Sequence, residues 1–315
     1  MSQKTLLSGV KPTGRPHIGN YFGMMKPAID MQADYQSYLF IPDMHALMTI
    51  QNGDEMRETI LSVALDYLGA GLDPAHTILF KQSDVPEHTE LCWIFDTITT
   101  MPYLMRAHAF KDAEAKNKEI TVGVFNYPML MAADILLYDA DIVPVGQDQK
   151  QHIEFARDTA QKFNNIYGET FKLPEAIIEE RVAVVPGTDG QKMSKSYKNT
   201  IPLFASREEI QKAVMSIVTD SSGERPENVY QIHRLFKTDA ELAPLYAEQG
   251  GKYKALKEAL IEDINAYIDP LRARRRSYAE QPEKVKALIT ENGEKAREVA
   301  HAKMNDVRKK IGVTL

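Results

Sequence analysis

Cysteine is nearly absent. The 315-residue chain carries one, Cys92, so an internal disulfide is excluded, and nothing around it has metal-ligand spacing. Long apolar runs are missing too: none approaches the roughly 18 residues that a membrane helix needs. The N-terminal segment MSQKTLLSGVKPTG has no apolar stretch followed by a small-residue cleavage site, so it does not read as a secretory leader. A reducing cytoplasm is the compartment these absences predict. An excess of positive charge is also lacking. The net charge is -6, which argues against a surface made throughout for nucleic acid. Two stretches are locally basic: Arg272, Arg274, Arg275 and Arg276, then Lys303, Arg308, Lys309 and Lys310. Each is either a solvated helix face or a nucleic-acid patch.

What is present is ordinary for a globular chain, with 43% hydrophobic and 26% charged residues. In the N-terminal half, short apolar segments alternate with helical patterns. Strands are predicted at Lys4–Val10, Ser37–Ile41, Thr77–Phe80 and Asp141–Val145. Helices are predicted at Ile18–Asp34, Asp54–Gly69, Pro86–Ile98, Tyr127–Tyr138 and Lys150–Asn165. Strands separated by helices of this length imply crossover units and a parallel sheet, with ligands outside the carboxyl ends of the strands. The expected fold class is α/β, a Rossmann-type parallel sheet over residues 1–200 followed by an all-helical domain over 201–315. Between them, GTDGQKMSKSYKNT reads as an exposed loop.

Three segments carry chemistry. After the first strand, GVKPTGRPHIGN is a turn in which Gly14 frees the backbone, and a helix then starts near His17. Its unpaired N–H groups make an anion site, and a histidine there can donate to a phosphate oxygen. A plain strand-to-helix turn would also read this way. The second segment is Lys192-Met193-Ser194-Lys195-Ser196. Two ammonium groups on a mobile loop can follow the charge that builds on a departing pyrophosphate, and two hydroxyls can add hydrogen bonds. The third is YPMLMAADILLY, an apolar helix with one carboxylate, Asp134. Burying it unpaired is costly. It either caps nearby backbone or offers an acceptor to a donor-only group such as an indole N–H.

PTGRPHIGN resembles the HIGH motif of class I aminoacyl-tRNA synthetases, with the final Asn common in the tryptophan members, and KMSKS matches the second motif of that class letter for letter. YPMLMAADILLY followed by VPVGQDQKQHIE closely resembles the tryptophanyl-tRNA synthetases, and the likeness runs nearly end to end. It implies that Asp134 reads the indole nitrogen while Met131, Val143 and Val145 wall the ring. Tyr127 and Gln149 would hold the ammonium group. His45 falls where the family has a pocket histidine, although a lone histidine on an apolar stretch can equally be a core residue. Lys192, Lys195 and Lys111 would serve the triphosphate; Lys111 also fits a surface lysine. Pro12, Thr13, His17, Gly19, Asn20, Gly146, Gln147, Asp148, Val184, Met193, Ser194 and Ser196 would surround ATP. Lys11 stands where the family commonly has Gln, and Leu7 where it often has Phe, so the pocket edge is retuned.

The implied reaction is two-step: tryptophan and ATP give the adenylate, and tRNA(Trp) takes the acyl group. Mg²⁺ would arrive on the nucleotide, with no metal held by the protein alone. The resemblance also implies a homodimer, no membrane partner and a last helix packed back on the catalytic part. Three rivals remain: a tyrosyl-tRNA synthetase, a small nucleotidyltransferase with a similar HxGH turn, and a non-catalytic paralogue. No editing domain is expected, because an acceptor that demands an N–H rejects phenylalanine unaided.

Overall fold

A computed structural model describes residues 3–115, 119–146, 149–178, 185–219 and 225–314. Five strands, β1 (Thr5–Gly9), β2 (Gln36–Ile41), β3 (Thr77–Lys81), β4 (Ile142–Pro144) and β5 (Glu175–Ile177), form one parallel sheet in the order β3-β2-β1-β4-β5. Side chains alternate across it, as a period of two requires. Leu6, Leu39, Leu79 and Ile142 enter one core; Leu7, Tyr38, Phe40, Phe80 and Val143 enter the other. Both faces are covered, which is why the strands read as unbroken apolar runs. β2 and β4 flank β1 on opposite sides. The winding therefore reverses at β1, and a crevice opens outside the ends of β1 and β4.

Three elements depart from expectation. β5 is short and begins with an exposed Glu175, so it carries no apolar run to announce it. The helix expected over 18–34 ends at Asp30 and contains a π turn, Tyr21–Met25, where Lys26 N donates to Tyr21 O. Pro27 follows directly and has no N–H for the α-helical ladder, so the ladder is already broken there. The helix expected from Tyr127 begins at Val122 instead, capped by Thr121 Oγ1 accepting from Val124 N, and it carries Pro128 inside. The proline suggests a start that the upstream cap overrides.

From Arg207 onward every described regular element is a helix, ending with Tyr253–Ala279 and Pro282–Lys310. The helix Tyr253–Ala279 packs on Gly53–Ala70, and Pro282–Lys310 lies along β3 and covers that sheet edge. Val285 and Ile289 of the last helix enter one core, while Ala296, Ala300, Met304 and Val307 enter the other. In the two basic stretches Arg272, Arg275, Lys303 and Arg308 are partly buried and paired, while Arg274, Arg276, Lys309 and Lys310 are exposed. Arg275 Nε donates to Asp66 Oδ1 at 2.5 Å and Arg272 Nη1 to Ala205 O at 2.7 Å. Arg308 Nε donates to Glu90 Oε1 at 2.8 Å, and Lys303 pairs with Asp139 at 2.6 Å. Arg275, Arg308 and Lys303 tie the last two helices to the helices and turn that flank the sheet, while Arg272 braces the helical part internally.

Candidate active site

The crevice at the ends of β1 and β4 is a cavity of about 650 Å³. Its two ends differ in chemistry. One is a largely apolar slot walled by Leu7, Phe40, Met131, Val143 and Val145, with Asp134 and His45 at its polar point and Tyr127, Gln149 and Gly146 along its rim. The other is lined by Lys11, Thr13, His17, Gly19 and Asn20 from the first turn, and by Lys192, Met193, Ser194, Lys195 and Ser196 from the lysine loop.

In the slot, Asp134 is 1% exposed on the helix Val122–Leu136. Its carboxylate is not alone, as the apolar sequence around it suggests. Oδ2 accepts from His45 Nε2 at 2.9 Å, and Oδ1 accepts from Gln82 Nε2 at 2.6 Å and His88 Nδ1 at 2.6 Å. Burial pushes this carboxyl up, but the hydrogen bonds from His45 and His88 outweigh it and hold the group down at about 2. It is a fixed anion at neutral pH. His45 is thus both buried and in the pocket wall. Tyr127 Oη shares a 2.7 Å hydrogen bond with His152 Nε2, and Lys11 Nζ stands 5.9 Å from the Tyr127 ring centroid.

At the other end, Gly14 takes φ +91°, which only glycine adopts freely. His17 caps the following helix: its Nδ1 accepts from Asn20 N at 3.2 Å while Asn20 Oδ1 accepts from His17 N at 3.1 Å. A β-carbon on Gly19 would meet His17 Nδ1 at 2.9 Å, so this glycine makes room for the imidazole. Burial, then the nearby charges of Lys195 and Lys192, bring His17 down to about 4. It is therefore neutral at pH 7. With Nδ1 accepting, the hydrogen sits on Nε2, the atom left to donate to a phosphate.

The lysine loop is docked on this turn. Lys195 Nζ donates to Gly14 O at 2.8 Å and Thr13 O at 3.1 Å, and burial lowers its pKa. The Ser194 and Ser196 hydroxyls bond each other at 2.9 Å. Asn199, buried, braces the loop from behind: its Oδ1 accepts from Ser194 N at 2.8 Å, and its Nδ2 donates to Lys192 O at 3.1 Å and Asp189 Oδ1 at 2.7 Å. Backbone bonds from Ile18 N to Ile201 O and from Leu203 N to Pro16 O join the two signature segments. Neutralising charge that develops on a leaving phosphate is what this end is equipped to do.

Some expected residues fall elsewhere. Lys111 is exposed on the helix His108–Ala115 and is not part of the cavity lining. Pro12 is buried behind the turn. Gln147, Asp148 and Val184 lie outside the described residues. Sequence reasoning missed Gln82, His88 and Asn199. Gln82 and His88 come from the segment after β3, and no local periodicity points to them; only the cost of a buried lone carboxylate signals that donors must exist somewhere. Among the described residues no group of three or more His, Cys, Asp or Glu side chains could hold a metal ion.

A parallel sheet whose first strand runs into a phosphate-type turn, joined by backbone to a two-lysine loop, defines a nucleotide-activating class. Residues 2–297 match the family model described as tRNA synthetases class I (W and Y), and the chain belongs to that family. Over 317 residues it is 46% identical to the tryptophan–tRNA ligase of Rhodopirellula baltica, covering 98% of this chain and 99% of that protein. The crystal structure of tryptophanyl-tRNA synthetase from Campylobacter jejuni complexed with ADP and tryptophan superposes with a TM-score of 0.89 at 43% identity, covering 98% of this chain and 99% of that one. A tyrosyl-tRNA synthetase from Archaeoglobus fulgidus, with a TM-score of 0.70 at 19% identity, shares the fold alone.

Proposed function

We propose that this chain activates L-tryptophan with ATP and passes the tryptophanyl group to the 3′ end of tRNA(Trp). The observation that carries this reading is Asp134, an ionised acceptor at the polar point of an otherwise apolar slot. An indole offers one polar handle, a donor. In the first step a tryptophan carboxylate oxygen attacks the α-phosphorus of ATP, and the bond to the bridging oxygen breaks to release pyrophosphate. In the second, the terminal ribose hydroxyl of the tRNA attacks the adenylate carbonyl and AMP leaves.

The residues divide this work. His17 donates from Nε2 to a phosphate oxygen without carrying charge. Lys195 exchanges its two carbonyl partners for phosphate oxygens, and Lys192 and Lys11 add positive charge on either side. Tyr127 and Gln149 hold the amino acid's ammonium group. Interactions that strengthen as charge develops raise the rate, so a cation that can change partners suits the step. Mg²⁺ rides on the nucleotide as part of the substrate, with Gly146, Gln147 and Asp148 beside the ribose.

The helical part, 201–315, reads the tRNA through surfaces other than the inward-facing cations. A second copy of the chain is the partner for a groove lined by Met48, Trp93, Gly123 and Leu130, where Trp93 is 69% exposed; sedimentation should give twice 35.6 kDa. Among the described residues no helix is long and apolar enough to cross a membrane, and the buried lone Cys92 suits a reducing cytoplasm. Amino-acid-dependent ATP–pyrophosphate exchange tests the whole reading. Exchange with tryptophan alone is the expected result; exchange with tyrosine, or with no amino acid, overturns it.

A further inference from the structure

The donors around Asp134 are unevenly shared between its two oxygens. A carboxylate has about four acceptor positions, two on each oxygen. Gln82 and His88 take both on Oδ1, while His45 takes one on Oδ2. Because an ionised carboxylate only accepts, His88 Nδ1 must carry a hydrogen. Its other nitrogen lies 2.9 Å from Tyr138 Oη. In the neutral ring Nε2 then accepts, and the Tyr138 hydroxyl donates to it. His88 is 0% exposed and its ring stacks on Phe40 with centroids 6.1 Å apart. Neither His88 nor Tyr138 belongs to the cavity lining, so neither touches what fills the slot.

We propose that His88, with Tyr138 behind it, is a positioning residue for specificity: together with Gln82 it saturates Oδ1, so that the one acceptor position left on Asp134 is on Oδ2, beside His45 at the cavity wall, where it takes a single ring N–H. Selection then depends on a relay that runs from the Tyr138 hydroxyl through His88 to Asp134. The inference rests on the reading of Asp134 as the indole acceptor. It adds that the acceptor's direction is set by two residues the substrate never meets. Freed from His88, the carboxylate has a second open position and is no longer aimed.

The test compares tryptophan with β-(3-benzothienyl)alanine, which has the same shape but carries sulfur in place of the ring N–H. The readout is the ratio of kcat/KM for the two in pyrophosphate exchange. Asp134→Asn is the control and should lower this ratio by about 100-fold or more. Tyr138→Phe, which removes only the hydroxyl, should lower it about 3- to 10-fold. The change should fall on KM for tryptophan, with kcat kept. His88→Asn, whose amide nitrogen can replace Nδ1, should retain more of the ratio than His88→Leu. If Tyr138→Phe and His88→Leu leave the ratio at its wild-type value while Asp134→Asn collapses it, His88 is merely structural and the inference fails. If Asp134→Asn itself leaves the ratio unchanged, the reading of Asp134 fails first. Should His88→Leu not fold, Tyr138→Phe decides alone.

Discussion

The two ends of the cavity follow different rules. At the amino-acid end the charged group is buried and gripped by three protein donors, Gln82, His88 and His45. At the nucleotide end the two loop lysines stand beside Lys11 of the first turn, and Lys195 donates to two backbone carbonyls that a phosphate oxygen can replace. The difference teaches what each task demands. Rejecting a near-isostere needs an acceptor that cannot move or find another partner. Lowering a barrier needs charge that engages more strongly as the leaving group departs. His17 stands between the two: it is at the nucleotide end, yet buried and fixed by its own cap.

The largest way to break this contrast is at Asp134. Asp134→Ala should cut the preference for tryptophan over phenylalanine by about 10⁴-fold, read as the ratio of exchange kcat/KM values. A preference that survives would place selection elsewhere in the slot. Next comes the nucleotide end. Lys195→Ala should slow the burst of adenylate formation about 10²- to 10³-fold; a burst at the wild-type rate would remove Lys195 from the transition state.

The same contrast between buried and exposed charge recurs where the helical part meets the sheet. Asp66 is buried and paired with Arg275, whereas Glu209 pairs with Arg15 in solvent. Arg275→Leu leaves a buried carboxylate without its partner and should cost about 3 kcal/mol in urea unfolding. Arg15→Ala should cost less than about 1 kcal/mol despite its two hydrogen bonds to Glu209, at 2.8 and 3.2 Å. Equal costs would contradict the distinction.

A smaller effect sharpens the position of His17. Its folded-state imidazole titrates at about 4 rather than 6.5. Stability is therefore complete above pH 6.5 and falls as the pH drops toward 4, because the unfolded chain takes up a proton the folded one refuses. The loss is about 3 kcal/mol. His17→Asn keeps a capping side chain and should flatten the slope over that interval; an unchanged slope would mean that other groups carry it.

Much of this was legible in the sequence. The two signature segments, by their residue types alone, pointed to groups that line one end of the cavity, and SYLFI announced a strand buried on both faces and TILF a further strand. Asp134 drew attention because a carboxylate amid apolar residues has to be explained. What supports it was not legible. Gln82 and His88 lie 52 and 46 residues away, and only the crossover from β3 to the helix Val122–Leu136 brings them together. The basic stretches were ambiguous for a related reason: a run of arginines on a helix gives no sign of whether its partners lie in solvent or, like Asp66, under it. Lys111, which the resemblance set over the triphosphate, lies outside the lining of this cavity.

The most direct test of a prebuilt amino-acid end and a mobile nucleotide end is calorimetric titration of tryptophan into the ATP-free protein, wild type beside Lys195→Ala. The account predicts that the two bind tryptophan with Kd values within about twofold of each other, with the pocket complete before ATP arrives. A Kd raised about tenfold or more in Lys195→Ala would show that the lysine loop helps to build the slot, and would contradict the division of the cavity into independent ends.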